Sequence, residues 1–186
     1  MIIAVVGSGG KTTLIKQLAK RYRSSGNRVL VTTSTHMFVE EDTLLTDDPD
    51  EIISALKETG YVMVGNPDGI KIRSLSRDTF DAVCAYADVV LVEADGSKHM
   101  PLKYPNATEP VIPANADRII VVWGPHGLGK PAREVCHRLD LVLECLNITE
   151  DTIITEEHVR KLLMQGYQLP LGERFPDAEM ILYPPL

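Results

Sequence analysis

The chain has 186 residues, 19 Lys and Arg against 26 Asp and Glu, a formal net charge of −7 and 44% hydrophobic residues. These values are typical of a folded globular protein and exclude disordered and fibrous classes. Binding to nucleic acid or to an anionic membrane depends on clustered positive charge, so we expect neither partner. The opening segment lacks the features of a secretory signal, and no apolar run approaches the ~20 residues of a membrane span. We therefore expect a cytoplasmic protein.

The first predicted elements are a strand, a glycine loop and a helix. Ile2 to Val6 is a continuous apolar run ended by Gly7, which is typical of a strand buried on both faces of a parallel sheet. Apolar residues then recur at helical spacing from Leu14 to Tyr22, and Gly26 ends this pattern. The β-rich segment from Arg28 to Thr33 completes a βαβ unit.

The next segments contain clear capping and turn signals. Asp48-Pro49 predicts the start of a helix, and Gly60 predicts its end. Two short apolar runs, Tyr61 to Val64 and Ile70 to Arg73, flank a turn-forming segment at Asn66 to Gly69. This arrangement predicts a hairpin or an antiparallel edge.

The second half of the chain continues the alternation of strands and helices. A long loop is predicted from Ala94 to Asp117, between two buried strands. The pattern predicts a three-layer α/β sandwich around a mostly parallel sheet, similar to P-loop NTPases, in one domain spanning residues 1–186. The remaining predicted elements are a helix near residues 80–87, strands at 89–92 and 119–122, helices at 133–146 and 156–165, and a strand at 180–183.

The most informative motif lies between the first predicted strand and helix. Its glycines allow main-chain N–H groups to converge on phosphate oxygens, and a helix N-terminus adds free donors and partial positive charge. This is the context of a P-loop. The segment expected to bind ATP or GTP consists of Gly7, Ser8, Gly9, Gly10, Lys11, Thr12 and Thr13.

Two side chains of this loop have specific expected roles. We expect Lys11 to contact the β- and γ-phosphates and the hydroxyl of Thr12 to bind Mg²⁺. A complete Walker A pattern would place glycine at position 5, where Val5 stands, so the loop is shortened. In this it is similar to the phosphate loop of the Mur ligases. A structural glycine turn with an exposed lysine is the alternative.

A second acidic motif follows the predicted strand at residues 89–92. That strand ends in Glu93, which matches the Walker B arrangement of a carboxylate at the carboxyl end of an apolar strand. We expect Glu93 to hold Mg²⁺ or to position water, because Mg²⁺ needs oxygen ligands beyond one hydroxyl. Asp95 is a candidate catalytic or supporting residue, and its alternative is a turn residue before Gly96.

Several longer motifs are distributed over most of the chain. They are T-T-S-T-H-M at 32–37, E-A-D-G-S-K at 93–98, P-L-K at 101–103, E-P-V-I-P at 109–113, G-L-G-K-P at 127–131 and H-R at 137–138. Together, these motifs resemble those of the YqeC family. The resemblance implies nucleotide binding in the maturation of a selenium-dependent molybdenum hydroxylase, which would then be a partner.

Five further residues are candidates for binding a small anionic substrate. Lys98, Lys103 and Arg118 lie on or beside the long predicted loop and could contact an anionic group opposite the triphosphate, or be solvated. His36 follows a predicted strand at its carboxyl end, where it could contact a ligand or transfer a proton, or be a surface residue. Glu109 could bind metal or orient substrate.

These observations favour a Mg²⁺-dependent NTPase or phosphotransferase with Lys11, Glu93 and Asp95 as its catalytic residues. The alternative is a non-catalytic nucleotide switch or scaffold that contacts a partner protein. Ligation through an acyl phosphate, as in the Mur ligases, is disfavoured because 186 residues leave little room for additional substrate domains.

Overall fold

The computed structural model describes residues 1–186. Its strands are β1 (Ile2–Gly7), β2 (Val29–Thr33), β3 (His36–Phe38), β4 (Thr43–Leu44), β5 (Tyr61–Val64), β6 (Asn66–Asp68), β7 (Lys71–Arg73), β8 (Val89–Glu93), β9 (Leu102–Lys103), β10 (Arg118–Val122), β11 (Cys136–His137) and β12 (Glu179–Tyr183). Its α-helices are α1 (Lys11–Ser24), α2 (Pro49–Thr59), α3 (Arg77–Cys84), α4 (Ala132–Val135), α5 (Leu139–Leu146), α6 (Glu156–Leu163) and α7 (Leu169–Arg174), with a π-helical segment, Met164–Gln168, between the last two.

Seven strands form the central sheet in the order β12-β10-β1-β8-β2-β5-β4. Every pairing in this sheet is parallel. Because parallel strands end at the same edge, the residues that follow β1, β2, β8 and β10 lie together at the carboxyl edge. This edge is where the sequence predicts the phosphate loop and the acidic motif.

The two faces of the sheet pack into separate hydrophobic clusters. In β1, Ile2, Ala4 and Val6 belong to one cluster, whereas Ile3 and Val5 belong to the other, as the twofold side-chain alternation of a strand requires. The first cluster packs against α2 to α7, and the second packs against α1. Helices therefore cover both faces, and the predicted three-layer α/β sandwich is confirmed.

A small antiparallel sheet in the order β3-β7-β6 lies beside α1 on the second face. The predicted antiparallel hairpin is present, but its strands are β6 and β7 rather than Tyr61 to Val64 and Ile70 to Arg73. The segment Tyr61–Val64 is β5, which pairs in parallel with β2 in the main sheet. Three of its four residues are buried there.

The predicted helix at 133–146 is interrupted in the structure. Residues Cys136–His137 form β11, which pairs with β9 inside the long segment predicted as loop. Arg138 then adopts a left-handed conformation with φ 59° before α5 begins. The apolar spacing continues across this break, so periodicity alone does not reveal it.

The local capping signals of α2 are confirmed. Asp48 accepts a hydrogen bond from the amide of Asp50 at 2.9 Å, and Gly60 ends the helix in the left-handed conformation with φ 69°. Elsewhere, no helix of the structure combines the length and apolar character needed to cross a membrane.

Candidate functional site

The loop between β1 and α1 is only three residues long, and its close packing requires glycine. A Cβ atom at Gly7 would lie 2.2 Å from the carbonyl oxygen of Val122, and one at Gly9 would lie 2.6 Å from the backbone of Gly124. Both glycines also have positive φ, at 86° and 73°. The backbone of this loop therefore passes against the end of β10 in a way that no larger residue permits.

The main-chain amides of the loop fall into two groups. The N–H of Gly7 donates to Asp95 at 3.1 Å, and the N–H of Ser8 donates to the carbonyl of Val122 at 2.8 Å. Both are therefore already used within the protein, although the sequence places them in the phosphate-binding segment. The amides that donate to no protein group are those of Gly9, Gly10, Lys11, Thr12 and Thr13.

These free amides lie at the N-terminus of α1, which has no side-chain cap and no acidic residue in its first turn. Unpaired N–H groups and the helix dipole together favour an anion at this position. The hydroxyl of Ser8 is not available to such an anion, because it donates to the carbonyl of Pro101 at 2.9 Å.

Lys11 lies beside these amides and is only 5% exposed. Its ammonium group donates to the carbonyl of Gly7 at 2.9 Å and to the hydroxyl of Ser97 at 3.2 Å. Burial lowers the pKa of Lys11, and the carboxylates of Glu93 and Asp95 oppose this effect. A phosphate group at the free amides would supply a closer negative partner for this buried ammonium.

Thr12 and Glu93 meet as the two motifs predict. The hydroxyl of Thr12 donates to Oε2 of Glu93 at 3.0 Å, across the gap between α1 and the end of β8. Burial raises the pKa of Glu93, while Lys11 and the Thr12 hydroxyl oppose this effect. Glu93 is only 8% exposed. A cation beside it would lower the free-energy cost of burying its negative charge.

The two oxygen atoms fit the ligand preference of Mg²⁺, which takes hydroxyl, carboxylate, phosphate and water oxygens. No cluster of three or more His, Cys, Asp or Glu side chains is placed to hold a metal ion. A Mg²⁺ ion at Thr12 and Glu93 would take its other ligands from phosphate and water.

Asp95 lies behind the loop rather than in front of it. Its side chain is completely buried, and it accepts hydrogen bonds from Gly7, Lys103 and the Tyr167 hydroxyl, the last at 2.9 Å. Through Gly7 it fixes the start of the phosphate loop. Its contacts are those of a positioning residue, not of one that touches a ligand.

Lys103 is likewise enclosed by protein, with no exposed side-chain surface. Its ammonium contacts Asp95 and lies 2.9 Å from the carboxylate of Glu109. Glu109 in turn accepts a forked pair of hydrogen bonds from Arg138, at 2.9 and 2.7 Å. These four side chains form a continuous ionic network, which joins the long segment after β8 to the residue that precedes α5.

A cleft of about 980 Å³ opens in front of the free amides. Of the sequence candidates, Lys98, Glu109 and His36 line it, and the imidazole of His36 also lies 3.2 Å from Asp68. Lys103 lies in the wall behind. Other lining residues include Gly9, Gly10, Lys11, Thr12, Thr13 and Glu93.

Arg118 is not brought to this cleft. It begins β10, whose other end, Val122, pairs with Gly7, so Arg118 lies at the opposite edge of the sheet. There its guanidinium Nε donates to Glu179 at 2.7 Å. The prediction for Arg118 is wrong, because a residue that follows the long loop in sequence begins the next strand at the edge opposite the ligand site.

Sequence reasoning missed three residues of the site. Ser97 contacts Lys11, Tyr167 donates to Asp95, and Arg138 holds Glu109. Ser97 lies within the E-A-D-G-S-K motif at 93–98 and Arg138 within the H-R motif at 137–138, so these two positions carried some signal. Tyr167 lies in the π-helical segment, 72 residues from Asp95 along the chain, and carried none.

Together, the fold and this site define a class of protein. It is an α/β sandwich with a glycine loop and a lysine between a buried parallel strand and a helix, and these groups provide hydrogen-bond donors for an anion.

A family profile described as YqeC protein matches residues 3–140. The chain is also 35% identical over 164 residues to the "Uncharacterized protein YqeC" of Escherichia coli (strain K12), an alignment that covers 82% of this chain and 63% of that protein. The chain belongs to the YqeC family, and it spans less than two thirds of the length of this relative.

Among solved structures, a chain of the MinC:MinD cell division protein complex of Aquifex aeolicus shows a weak likeness. The TM-score is 0.39 and the sequence identity 14%, over 97% of this chain and 79% of that chain. A TM-score at this level carries no argument about function. Family membership and the geometry of the site are compatible with a nucleotide-binding protein.

Proposed function

We propose that this protein binds a nucleoside triphosphate with Mg²⁺ in the cleft and acts as an NTPase or phosphotransferase. One observation carries the proposal: the free amides of Gly9 to Thr13 lie at the N-terminus of α1, beside a buried lysine and a hydroxyl–carboxylate pair. After a buried strand, the chain provides main-chain donors, then a lysine, then ligands for magnesium. This order of groups is the one that binds a polyphosphate chain in P-loops.

The residues have distinct roles in this proposal. The amides orient the phosphates, and the Lys11 ammonium offsets the charge that develops on the transferred group. Thr12 and Glu93 would hold Mg²⁺, and the ion would supply further neutralisation of the phosphate charge. Asp95 acts through Gly7 by holding the loop in place.

The family resemblance extends the proposal to a cellular role. It supports a function in the maturation of a selenium-dependent molybdenum hydroxylase, in the cytoplasm, with the hydroxylase as a partner. A small anion would then accept the phosphoryl group. The relative affinities for ATP and GTP are measured by titration of each nucleotide.

A non-catalytic nucleotide switch is the second candidate, and one feature favours it. Ser97 contacts Lys11, and the next two residues, Lys98 and His99, both have positive φ at 47° and 62°. Such conformations are strained in non-glycine residues. A phosphate that draws Lys11 away from Ser97 would release this turn, and the turn could carry the signal to a partner.

Calorimetric titration of ATP and GTP, with and without Mg²⁺, tests binding. We expect Lys11→Ala to weaken triphosphate affinity by roughly 10–100-fold, because a charge-assisted hydrogen bond contributes about 1.5–3 kcal/mol. Lys20→Ala is the matched control, since Lys20 is an exposed lysine of α1 outside the cleft. Equal affinities for both variants would contradict the role of Lys11.

Turnover separates the two candidates. An enzyme releases phosphate or forms a phosphorylated acceptor in the presence of Mg²⁺ and nucleotide, and Lys11→Ala abolishes this release. A switch binds nucleotide with the same dependence on Lys11 but produces neither product with any small anion added.

A further inference from the structure

The cleft is positively charged in a chain whose net charge is negative. Five lysines and arginines line it against three glutamates, whereas the whole chain has a net charge of −7. Four of the five histidines also line it: His36, His99, His126 and His137. This concentration exceeds what one phosphate loop with Lys11 requires.

Two exposed groups among the cationic and imidazole side chains that line the cleft make no hydrogen bond, ion pair or ring contact with the protein. Neither Lys98 nor His126 makes a side-chain hydrogen bond or ion pair, and both are exposed. Lys98 follows Ser97, whose hydroxyl lies 3.2 Å from the Lys11 ammonium. The imidazole of His126 lies against Gly124, whose backbone in turn packs against Gly9 of the phosphate loop. Both groups are therefore attached to segments that contact the loop.

The wall beside them contains His137, a half-buried residue whose Nδ1 atom is buried without a hydrogen-bond partner. Burial lowers the pKa of His137. The positive charges of Lys103, Arg138 and Lys98 lower it further, and Glu109 alone opposes them. The imidazole is thus held neutral in surroundings with an excess of positive charge, which an incoming anion would balance.

Arg138 completes this wall. It uses Nε and Nη2 to hold Glu109, so Nη1 makes no hydrogen bond. Its left-handed backbone, with φ 59°, is held between β11 and α5. Strained backbone at a non-glycine residue is typical of sites where a side chain must be placed accurately.

We propose that Lys98, His126, His137 and Arg138 form a second anion subsite, adjacent to Lys11, which holds an oxyanion that accepts the γ-phosphoryl group. This inference rests on the proposed function. An oxygen of the acceptor forms a bond to the γ-phosphorus while the bond from that phosphorus to the β–γ bridging oxygen breaks. The electron pair of the broken bond leaves with the nucleoside diphosphate. A fully ionised acceptor has no proton to lose, so the step needs no general base.

Histidine NMR tests the subsite directly. The protein is saturated with Mg²⁺ and the β,γ-imido analogue of the nucleotide that it binds, and inorganic phosphate is then added at constant ionic strength. We expect the imidazole signals of His126 and His137 to shift in a saturable manner, while those of His158, which caps α6 outside the cleft, do not move. Lys98→Ala should weaken the phosphate affinity about tenfold, and Lys20→Ala should leave it unchanged.

Three outcomes are decisive. If the bound analogue abolishes the response of His126 and His137 to phosphate, or if Lys98→Ala matches Lys20→Ala, the cleft has one anion site and the inference is overturned, while nucleotide binding stands. If phosphate still shifts both histidines in Lys11→Ala, the second subsite is independent of the loop and is supported. If no nucleotide binds the unmodified protein but phosphate shifts these histidines, the cleft binds an anion, but the proposed function fails and with it the role of the subsite as phosphoryl acceptor.

Discussion

Glu109 joins two cations in the wall of the cleft, and this pairing determines its ionisation. Burial alone would raise the pKa of Glu109, but hydrogen bonds from Arg138 and Lys103 lower it to about 2. Since this value lies below the ordinary 4.5, ionised Glu109 stabilises the folded state at neutral pH. That contribution is lost as pH falls from about 4.5 towards about 2.

We expect Glu109→Gln to lower the free energy of unfolding at pH 7 by about 1–3 kcal/mol, because Lys103 and Arg138 lose a charged acceptor. The variant should also show a weaker loss of stability between pH 5 and pH 3. Urea unfolding across this range measures both effects. Glu173→Gln, at an exposed position on α7, is the control, and equal acid sensitivity in the two variants would contradict the assignment.

Glu93 has the opposite pH behaviour. Burial raises its pKa, so between 4.5 and the raised value the folded protein binds more protons than the unfolded chain. The stability of the metal-free protein should therefore fall as pH rises through this window. Mg²⁺ and nucleotide would compensate for the buried charge.

For Glu93→Gln we expect intact folding, no such loss of metal-free stability as pH rises, and loss of the Mg²⁺ enhancement of nucleotide binding. The amide has a similar size but does not carry the charge that Mg²⁺ requires. Thermal unfolding at several pH values and calorimetry with and without Mg²⁺ measure these effects, with Glu58→Gln on the exposed side of α2 as control. Undiminished Mg²⁺ enhancement would rule out Glu93 as the metal ligand.

Among the elements, the turn from β1 into α1 has the least tolerance for added atoms. We expect Gly9→Ala to destabilise the protein and to weaken nucleotide binding, because its Cβ would lie 2.6 Å from the backbone of Gly124 and its φ is 73°. Gly172→Ala in α7 is the matched control. No atom lies within 4 Å of a Cβ there, so the change should add about 0.5–1 kcal/mol of helix stability. Unfolding and calorimetry on both variants measure the contrast, and a Gly9→Ala protein that binds normally would contradict the close packing.

Elements that leave a pattern within a few neighbouring residues could be predicted from the sequence. β1, α1 and α2 are confirmed because a buried strand, a helical apolar face and a capping aspartate leave patterns within a few residues. β9 and β11 could not be predicted, because each has only two residues and exists through pairing with the other, more than 30 residues away. At the break, Arg138 likewise binds Glu109, a partner from another part of the chain.

At the scale of the whole molecule, the central sheet and the three-stranded sheet differ in how far they are covered by the rest of the protein. The central sheet has helices on both faces, and its β1 and β8 residues are buried throughout. The small sheet has strands of three residues, and His36 and Phe38 of β3 are exposed towards the cleft. Short strands with exposed side chains open at a lower free energy than a covered core.

Native-state hydrogen exchange tests this difference. We expect amides of β3, β6 and β7 to exchange through local opening, while those of β1 and β8 exchange only with global unfolding. Adding Mg²⁺ and nucleotide should protect the amides of Gly9, Gly10, Thr12 and Thr13. Denaturant-dependent rates that are equal in the two sheets would contradict a separate opening of the small one.

Patterns in the sequence were sufficient to predict the α/β class, the position of the glycine loop and the meeting of Thr12 with Glu93, because parallel strands bring their carboxyl ends to one edge whatever the details of packing. The other features became visible in the three-dimensional arrangement. It showed that the amides of Gly7 and Ser8 are already bonded, that Lys103 and Asp95 are enclosed, and that Arg118 lies at the far edge. Burial and charge pairing are properties of segments distant in the chain, so no local pattern of residues could report them.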